Sequence, residues 1–298
     1  MKKYSSVIIG HVSVDENVDY QGNGVTIPGG AVLYSSASAW ALGHNVLAVT
    51  RFNAAETNRL EAFTIPRENI RLIDSPSSTT MYNRYLTADK ERRICVCRSA
   101  GTPFTADDVQ DYDAEIYHFA GLIYGDFNND MIRKAASYGK VAVDVQTCLR
   151  HADMNDGGNM FFTDWADKLE MLPLIDFLKT DAAEAEIMTG TDDRVKAAEM
   201  LHGWGAKEIL ITHNTEVLAY DGDQVYTCPI RARNLSGRTG RGDTTFAAYI
   251  NERTREDVKT SLLWATATVS LKMETPGPLR GTRKDVEDYI KAFYPEFV

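Results

Sequence analysis

Short apolar runs recur along the chain, and most are followed by a stretch whose apolar positions have helical spacing. Val7–Ile9, Val46–Val49, Ile116–Phe119, Val141–Val145, Phe177–Lys179 and Glu208–Thr212 are apolar over most of their length. Strands buried on both faces of a parallel sheet have that composition. Helical spacing occupies Ala31–Leu42, Asn129–Tyr138, Ala182–Met188 and Arg194–Trp204. The alternation predicts βαβ units, hence an α/β fold with a doubly wound, mostly parallel sheet flanked by helices. The last third is predicted to be mostly helical, over Thr244–Asn251, Arg255–Glu274 and Arg283–Phe293.

Two stretches break this rhythm. Asp15–Ile27 alternates around Gln21-Gly22-Asn23-Gly24, and Thr79–Leu86 alternates with Arg92–Arg98 around Ala88-Asp89-Lys90-Glu91. Both are hairpin patterns. They predict four short antiparallel strands, a small β lid drawn from about 12–27 and 79–98. The turn-rich segment Asn155–Asn159 reads as a loop. Without repeats or a linker rich in Pro, Gly or Ser, residues 1–298 read as one domain carrying that lid.

Composition narrows the possibilities. Of 298 residues, 44% are hydrophobic and 25% charged, which excludes disordered and fibrous classes. The formal net charge of −10 argues against a general nucleic-acid or anionic-membrane surface. It leaves open a small anionic ligand held in a local pocket. Cys95, Cys97, Cys148 and Cys228 form no CxxC pair, so a zinc site or redox dithiol is not expected. Cys95 and Cys97 share one strand face and read as buried apolar residues. No run approaches the roughly 18 apolar residues of a membrane span, and the opening has no signal-peptide core. A cytoplasmic protein is expected.

The most informative segment is Ser236-Gly237-Arg238-Thr239-Gly240-Arg241-Gly242-Asp243-Thr244. Its glycines permit tight or left-handed backbone, and a helical pattern starts after Asp243. Such a turn aims backbone N–H groups at one point, at the positive end of a helix dipole. Asp243 there is either an ordinary N-cap or a base that takes a proton from an attacking hydroxyl beside a phosphate cradle. Walker and protein-kinase patterns are absent, and Gly240-x-Gly242 lacks the third glycine of a dinucleotide fingerprint. Asp15 lies just past the first strand, at the edge where open α/β sheets bind ligands. Gly29 and Gly30 lead into a helix of small residues. Asp181 and Glu184, three apart, form the outline of a capping box or a pair of carboxylates facing metal-bound water.

The order of these features resembles the ribokinase-like carbohydrate kinases, the PfkB family, from about Tyr4 to about Pro278. Thr239-Gly240-Arg241-Gly242-Asp243-Thr244-Thr245-Phe246 is similar to the signature D-T-x-G-A-G-D-x-F. Pro28-Gly29-Gly30 with Leu42-Gly43 is similar to the G-G signature. Thr180-Asp181-Ala182-Ala183-Glu184-Ala185-Glu186 looks like the N-x-x-E-A segment. The resemblance implies ATP- and Mg2+-dependent phosphoryl transfer to a hydroxyl of a sugar, polyol or nucleoside. Asp243 would be the base, with Gly240, Arg241 and Gly242 supplying the anion hole. Asp15, Gly29 and Gly30 would hold the polyhydroxylated substrate, Glu184 would act on magnesium through water beside Asp181, and Thr212 would flank the nucleotide. A homodimer through the lid is a further expectation.

The departures shape the substrate question. Gly237-Arg238 replaces Asp-Thr, and Arg241 replaces the alanine between the glycines. These arginines either meet donor phosphates or an acidic substrate, or face solvent. Tyr34 stands where sugar kinases commonly have a substrate-side asparagine. Asn214 stands where a glycine is usual, so the adenine end differs. Arg231, Arg233, Arg238 and Arg241 fall close together and are expected around the phosphate cradle. A sugar or a cyclitol such as myo-inositol is the expected acceptor. The alternatives are a nucleoside kinase, an idle kinase-like regulatory protein and a nicotinamide enzyme. Lys272, near Thr275-Pro276-Gly277-Pro278, could approach the same pocket.

Overall fold

Val7, Ile8 and Ile9 are fully buried because their strand, β1 (Tyr4–Ile9), has parallel neighbours on both sides and packed helices on both faces. The computed structural model describes residues 2–88 and 92–297. After β1 the strands are β2 (Ser13–Val18), β3 (Gly24–Gly29), β4 (Val46–Phe52), β5 (Ile70–Asp74), β6 (Thr79–Tyr85), β7 (Arg93–Ser99), β8 (Ala114–Phe119), β9 (Lys140–Asp144), β10 (Arg150–Asp153), β11 (Asn159–Phe162), β12 (Phe177–Asp181), β13 (Glu208–Thr212), β14 (Glu216–Tyr220) and β15 (Val225–Pro229). The α-helices are α1 (Ala31–Ala41), α2 (Asn129–Ala136), α3 (Gln146–Leu149), α4 (Lys168–Met171), α5 (Ala182–Thr189), α6 (Arg194–Gly203), α7 (Arg241–Glu252), α8 (Val258–Lys272) and α9 (Arg283–Phe293).

Nine strands form the main sheet in the order β15-β14-β13-β12-β9-β8-β1-β4-β5. It is parallel from β13 to β5, while β14 and β15 add an antiparallel edge. The doubly wound α/β class expected from the pattern is the one observed. No helix among the described residues is long and apolar enough to cross a membrane.

The lid is larger than its sequence pattern. Six strands run in the order β10-β11-β7-β6-β2-β3. The expected hairpins β2–β3 and β6–β7 are antiparallel, but β2 and β6 join them in parallel. The segment read as a loop at Asn155–Asn159 contains the turn of a third hairpin, β10–β11, which adds to the edge of β7. Asp89, Lys90 and Glu91 of the expected β6–β7 turn lie outside the described residues. Cys97 is fully buried, whereas Cys95 is only half-buried and not the core residue expected.

Helix α7 begins at Arg241, three residues earlier than its apolar pattern, because Gly240 takes a left-handed backbone (φ +77°) and sets the N-cap. Arg241, Gly242 and Asp243 are therefore its first turn. Helix α8 starts later than expected, after Asp257, whose carboxylate accepts from the Thr260 N–H. α7 is clamped at both ends. Near its start, small residues let α1 approach closely. Ser38 Oγ donates to the Thr244 carbonyl at 2.9 Å and Ser35 Oγ to the Asp243 carbonyl at 3.3 Å. At its end, the buried Glu252 carboxylate meets His44 Nε2 at 2.7 Å and the Arg283 guanidinium at 2.5 Å. Midway, Phe246 packs edge-on against His118, which burial keeps neutral by pushing its pKa down to about 3.

Ser38→Leu should overpack the α1–α7 contact. A loss of about 1–3 kcal/mol in urea unfolding is expected. An unchanged midpoint would show that the two helices are not tightly apposed.

Candidate active site

The carboxyl ends of the main-sheet strands, the first turn of α7 and the inner face of the lid enclose a cleft of about 570 Å³. Each edge brings a different chemistry.

The floor is the first turn of α7. The N–H groups of a helix's first turn have no intrahelical acceptor, and here they point toward the cleft lined by Gly240, Arg241, Gly242 and Asp243. Glycine is required at Gly240, and space is tight at Gly242. A Cβ on Gly240 would lie 2.2 Å from the Tyr34 ring, and one on Gly242 would lie 3.1 Å from Lys179 Nζ. Removal from bulk water, reinforced by the Asp144 carboxylate, pushes the Asp243 carboxyl up to about 6, against the pull of Lys179, Lys272 and Arg150.

On the lid side Asp15 is buried and accepts from Ser13 Oγ at 2.7 Å. Burial raises its pKa, while Ser13, Arg93 and Arg150 oppose the rise. Gly29 lies against this carboxylate, with no room for a Cβ, and Gly30 lines the cleft with φ +107°. The Tyr34 hydroxyl also lines the cleft and is buried without a hydrogen-bond partner. Burial and the nearby Asp15 and Asp243 carboxylates keep it protonated. Asp15, Gly30, Tyr34 and Asp243 all line this cleft.

The opposite end is cationic. Arg238 Nη2 and Arg241 Nη1 converge on Asn214 Oδ1 at 3.0 and 2.8 Å, and all three residues line the cleft beside Thr212. The two arginines line the cleft. Arg231 and Arg233 do not join them. Arg231 pairs with Glu296 at 2.5 Å and Arg233 with Glu274, so the expected cluster of four is a cluster of two.

Between the ends lies Lys179, which carried no role in the sequence reading. Its ammonium sits 3.0 Å from Asp144 and 3.7 Å from Glu184. Although burial disfavours its charge, Asp144, Glu184 and Asp181 hold its pKa above the ordinary lysine value. The one available signal was a lysine inside an otherwise apolar strand. Arg150, which donates to the Leu122 carbonyl at 2.9 Å and lines the cleft, gave no signal because its short strand β10 was not among the expected elements.

Asp181 and Glu184 form the capping box, each accepting from the other's N–H at 2.8 Å. Asp181 lines the cleft, whereas Glu184 is buried behind it, and burial pushes its pKa up to about 7. Among the described residues, no group of three or more His, Cys, Asp or Glu side chains is arranged to hold a metal. With Lys179 between the carboxylates, the donor set fits a magnesium ion that arrives on donor phosphates and meets Asp181 through water. It does not fit a cage built by the protein alone.

A carboxylate in the first turn of a helix, on a cleft that also holds polar lid residues and two arginines, suits phosphoryl transfer. The model of the pfkB family carbohydrate kinases matches residues 3–284. The chain belongs to that family, so its activity is phosphoryl transfer to a hydroxyl of a sugar, polyol or nucleoside. A solved pyrophosphate-dependent kinase of the ribokinase family, complexed with a pyrophosphate analogue and myo-inositol, is 31% identical. The match covers 95% of this chain and 99% of that one, with a TM-score of 0.84. A cytidine kinase of Thermococcus kodakarensis is 25% identical over 82% of this chain and 86% of its own length. The Arabidopsis thaliana ribokinase complexed with ribose and ATP shares the fold at 18% identity and TM-score 0.76, over 97% of this chain and 99% of its own.

Gly240→Ala forces an alanine into the left-handed region against the Tyr34 ring. A loss of about 1–3 kcal/mol in denaturant unfolding is expected. Wild-type stability would mean that the turn relaxes freely.

Proposed function

We propose that the protein phosphorylates a ring hydroxyl of a cyclic polyol, with myo-inositol the first candidate. The observation that carries this reading is the placement of Asp243 in the N-terminal turn of α7, on the same cleft as Asp15 and Tyr34. An acceptor hydroxyl held between Asp15 and Tyr34 faces Asp243, which takes its proton as the oxygen attacks phosphorus. The new O–P bond forms while the bond from phosphorus to the leaving phosphate oxygen breaks. N–H groups of the α7 turn stabilise the transferring group, and Lys179, Arg238 and Arg241 neutralise the departing charge. Magnesium bound to the donor would add positive charge on the phosphate oxygens, with Asp181 as its nearest water-mediated contact and Glu184 bracing Asp181 from behind. Polar side chains of the lid, among them Asn83 and Arg150, suit a polyhydroxylated acceptor better than a nucleobase.

ATP is the donor expected from the family resemblance. Inorganic pyrophosphate is a second reading, and the donor end favours it. Two guanidinium groups drawn together by Asn214 form a short cationic wall, which matches a compact tetra-anion. The 31% identical pyrophosphate-dependent kinase supports the same reading.

The test crosses ATP and pyrophosphate with myo-inositol, ribose, fructose and cytidine, and follows phosphorylated product by 31P NMR. Pyrophosphate with myo-inositol is expected to give the fastest turnover. Faster turnover with ATP would overturn the donor reading, and cytidine as the best acceptor would overturn the polyol reading. Asp243→Asn should lower kcat by about a hundredfold or more. The base must be ionised, so kcat/KM should fall about tenfold per pH unit below about 6 and be level between about 6 and 8. A flat acid limb would remove Asp243 from that role.

A further inference from the structure

Lys272 is the last residue of α8, and its side chain is completely buried. Its ammonium donates to the carbonyl oxygens of Gly237 and Thr239 and lies over the Tyr34 ring, 4.9 Å from the centroid. Two carbonyl dipoles and an aromatic face are ligands for a cation, which they stabilise without a neutralising carboxylate in contact. The nearest negative charge acting on it is Asp243. The same loop is closed onto α8 from the other side. The Gly237 N–H donates to the Met273 carbonyl at 2.8 Å, and a Cβ on Gly237 would collide with the Thr275 carbonyl at 1.7 Å.

Peptide planarity gives these contacts a consequence. The C=O and N–H of one trans peptide point in opposite directions. Holding the Thr239 carbonyl inward on Lys272 therefore turns the Gly240 N–H outward, to the side of the loop that lines the cleft. The Gly237 carbonyl fixes the Arg238 N–H in the same way.

We propose that Lys272 is a positioning residue, an internal monovalent cation that locks the turn 237–240 with its N–H groups facing the transferred phosphoryl. The proposal rests on the reading that this turn holds that group. Burial pushes the Lys272 ammonium down to about 8, with Asp243 on α7 opposing the shift. Tyr34 on α1, the other titratable group facing it, stays neutral far above that pH. The clamp is charged below about pH 8 and lost above it. Its effect on stability has the opposite sign. In the unfolded chain lysine keeps its proton to about pH 10.4. Between these values the unfolded state binds more protons, and the contribution of this group to stability rises with pH. Activity should fall over a range where Lys272 makes the fold no weaker, which a purely structural lysine would not produce.

The experiment compares wild type, Lys272→Met and Lys272→Ala. Both variants are expected to melt near the wild-type temperature. They should lose on the order of a hundredfold in kcat, with a raised donor KM and an unchanged acceptor KM. Methylammonium or ammonium should restore much of the loss in Lys272→Ala. Tetramethylammonium, which has no N–H to donate, should not. Hydrogen exchange at the Gly240 and Gly242 amides, faster in Lys272→Ala and slowed again by methylammonium, decides the matter independently of turnover. Wild-type kcat in both variants, or exchange unchanged by the substitution, would overturn the proposal. A wild-type protein inactive across the donor and acceptor panel would overturn the functional reading, and the exchange result would still decide Lys272.

Discussion

The first N–H groups of a helix have no carbonyl to bond within it, and the position of that bare turn in α7 governs the rest of this molecule. A turn of unpaired donors needs either water or an anion. Here it is pressed between α1, α8 and strand β12. Gly240 is a glycine because the Tyr34 ring occupies the space a side chain would need and its backbone is left-handed, and Lys179 leaves little room at Gly242. The serines of α1 reach the carbonyls of the same turn. The lid and the nine-stranded sheet then form the walls around a floor that already favours negative charge.

Electrostatics divides the cleft along its length. Near the lid, Asp15 and Tyr34 offer an acceptor and a donor to hydroxyl groups, with Arg150 close behind. Elsewhere on the cleft Arg238 and Arg241 share one amide oxygen of Asn214, which brings two like charges together. Lys179, paired with Asp144 and Glu184, adds a further positive charge to the cleft, and Arg93 and Arg150 carry positive charge to the Asp15 side. The global excess of acidic residues bears on none of this. What matters is the local order of charges along one cleft.

Much of this was legible in the chain and some was not, for physical reasons. Val7–Ile9 and Val141–Val145 announced buried parallel strands because both their faces meet apolar layers. The glycines at 237, 240 and 242 announced a tight turn into a helix because few other structures require three so close together. The start of α7 was misplaced because Gly240 and Gly242 interrupt the apolar pattern while the backbone is already helical. β10 and β11 were not among the expected strands because a four-residue edge strand carries too little alternation to stand out. Lys179 looked like a lapse in a strand until its carboxylates appeared around it. Arg231 and Arg233 lie close to the cradle in sequence, yet Glu296 and Glu274 draw them away, and those pairings depend on the C-terminal helix packing.

The placement of the anion hole can be tested directly by titrating pyrophosphate, with magnesium, into 15N-labelled protein and following backbone amide shifts. The largest changes are expected at Gly240, Gly242 and Asp243, with smaller ones at Asn214, Arg238 and Arg241. Shifts concentrated at the second cavity, around Phe127, Cys148 and Trp165, with the α7 turn unmoved, would contradict it.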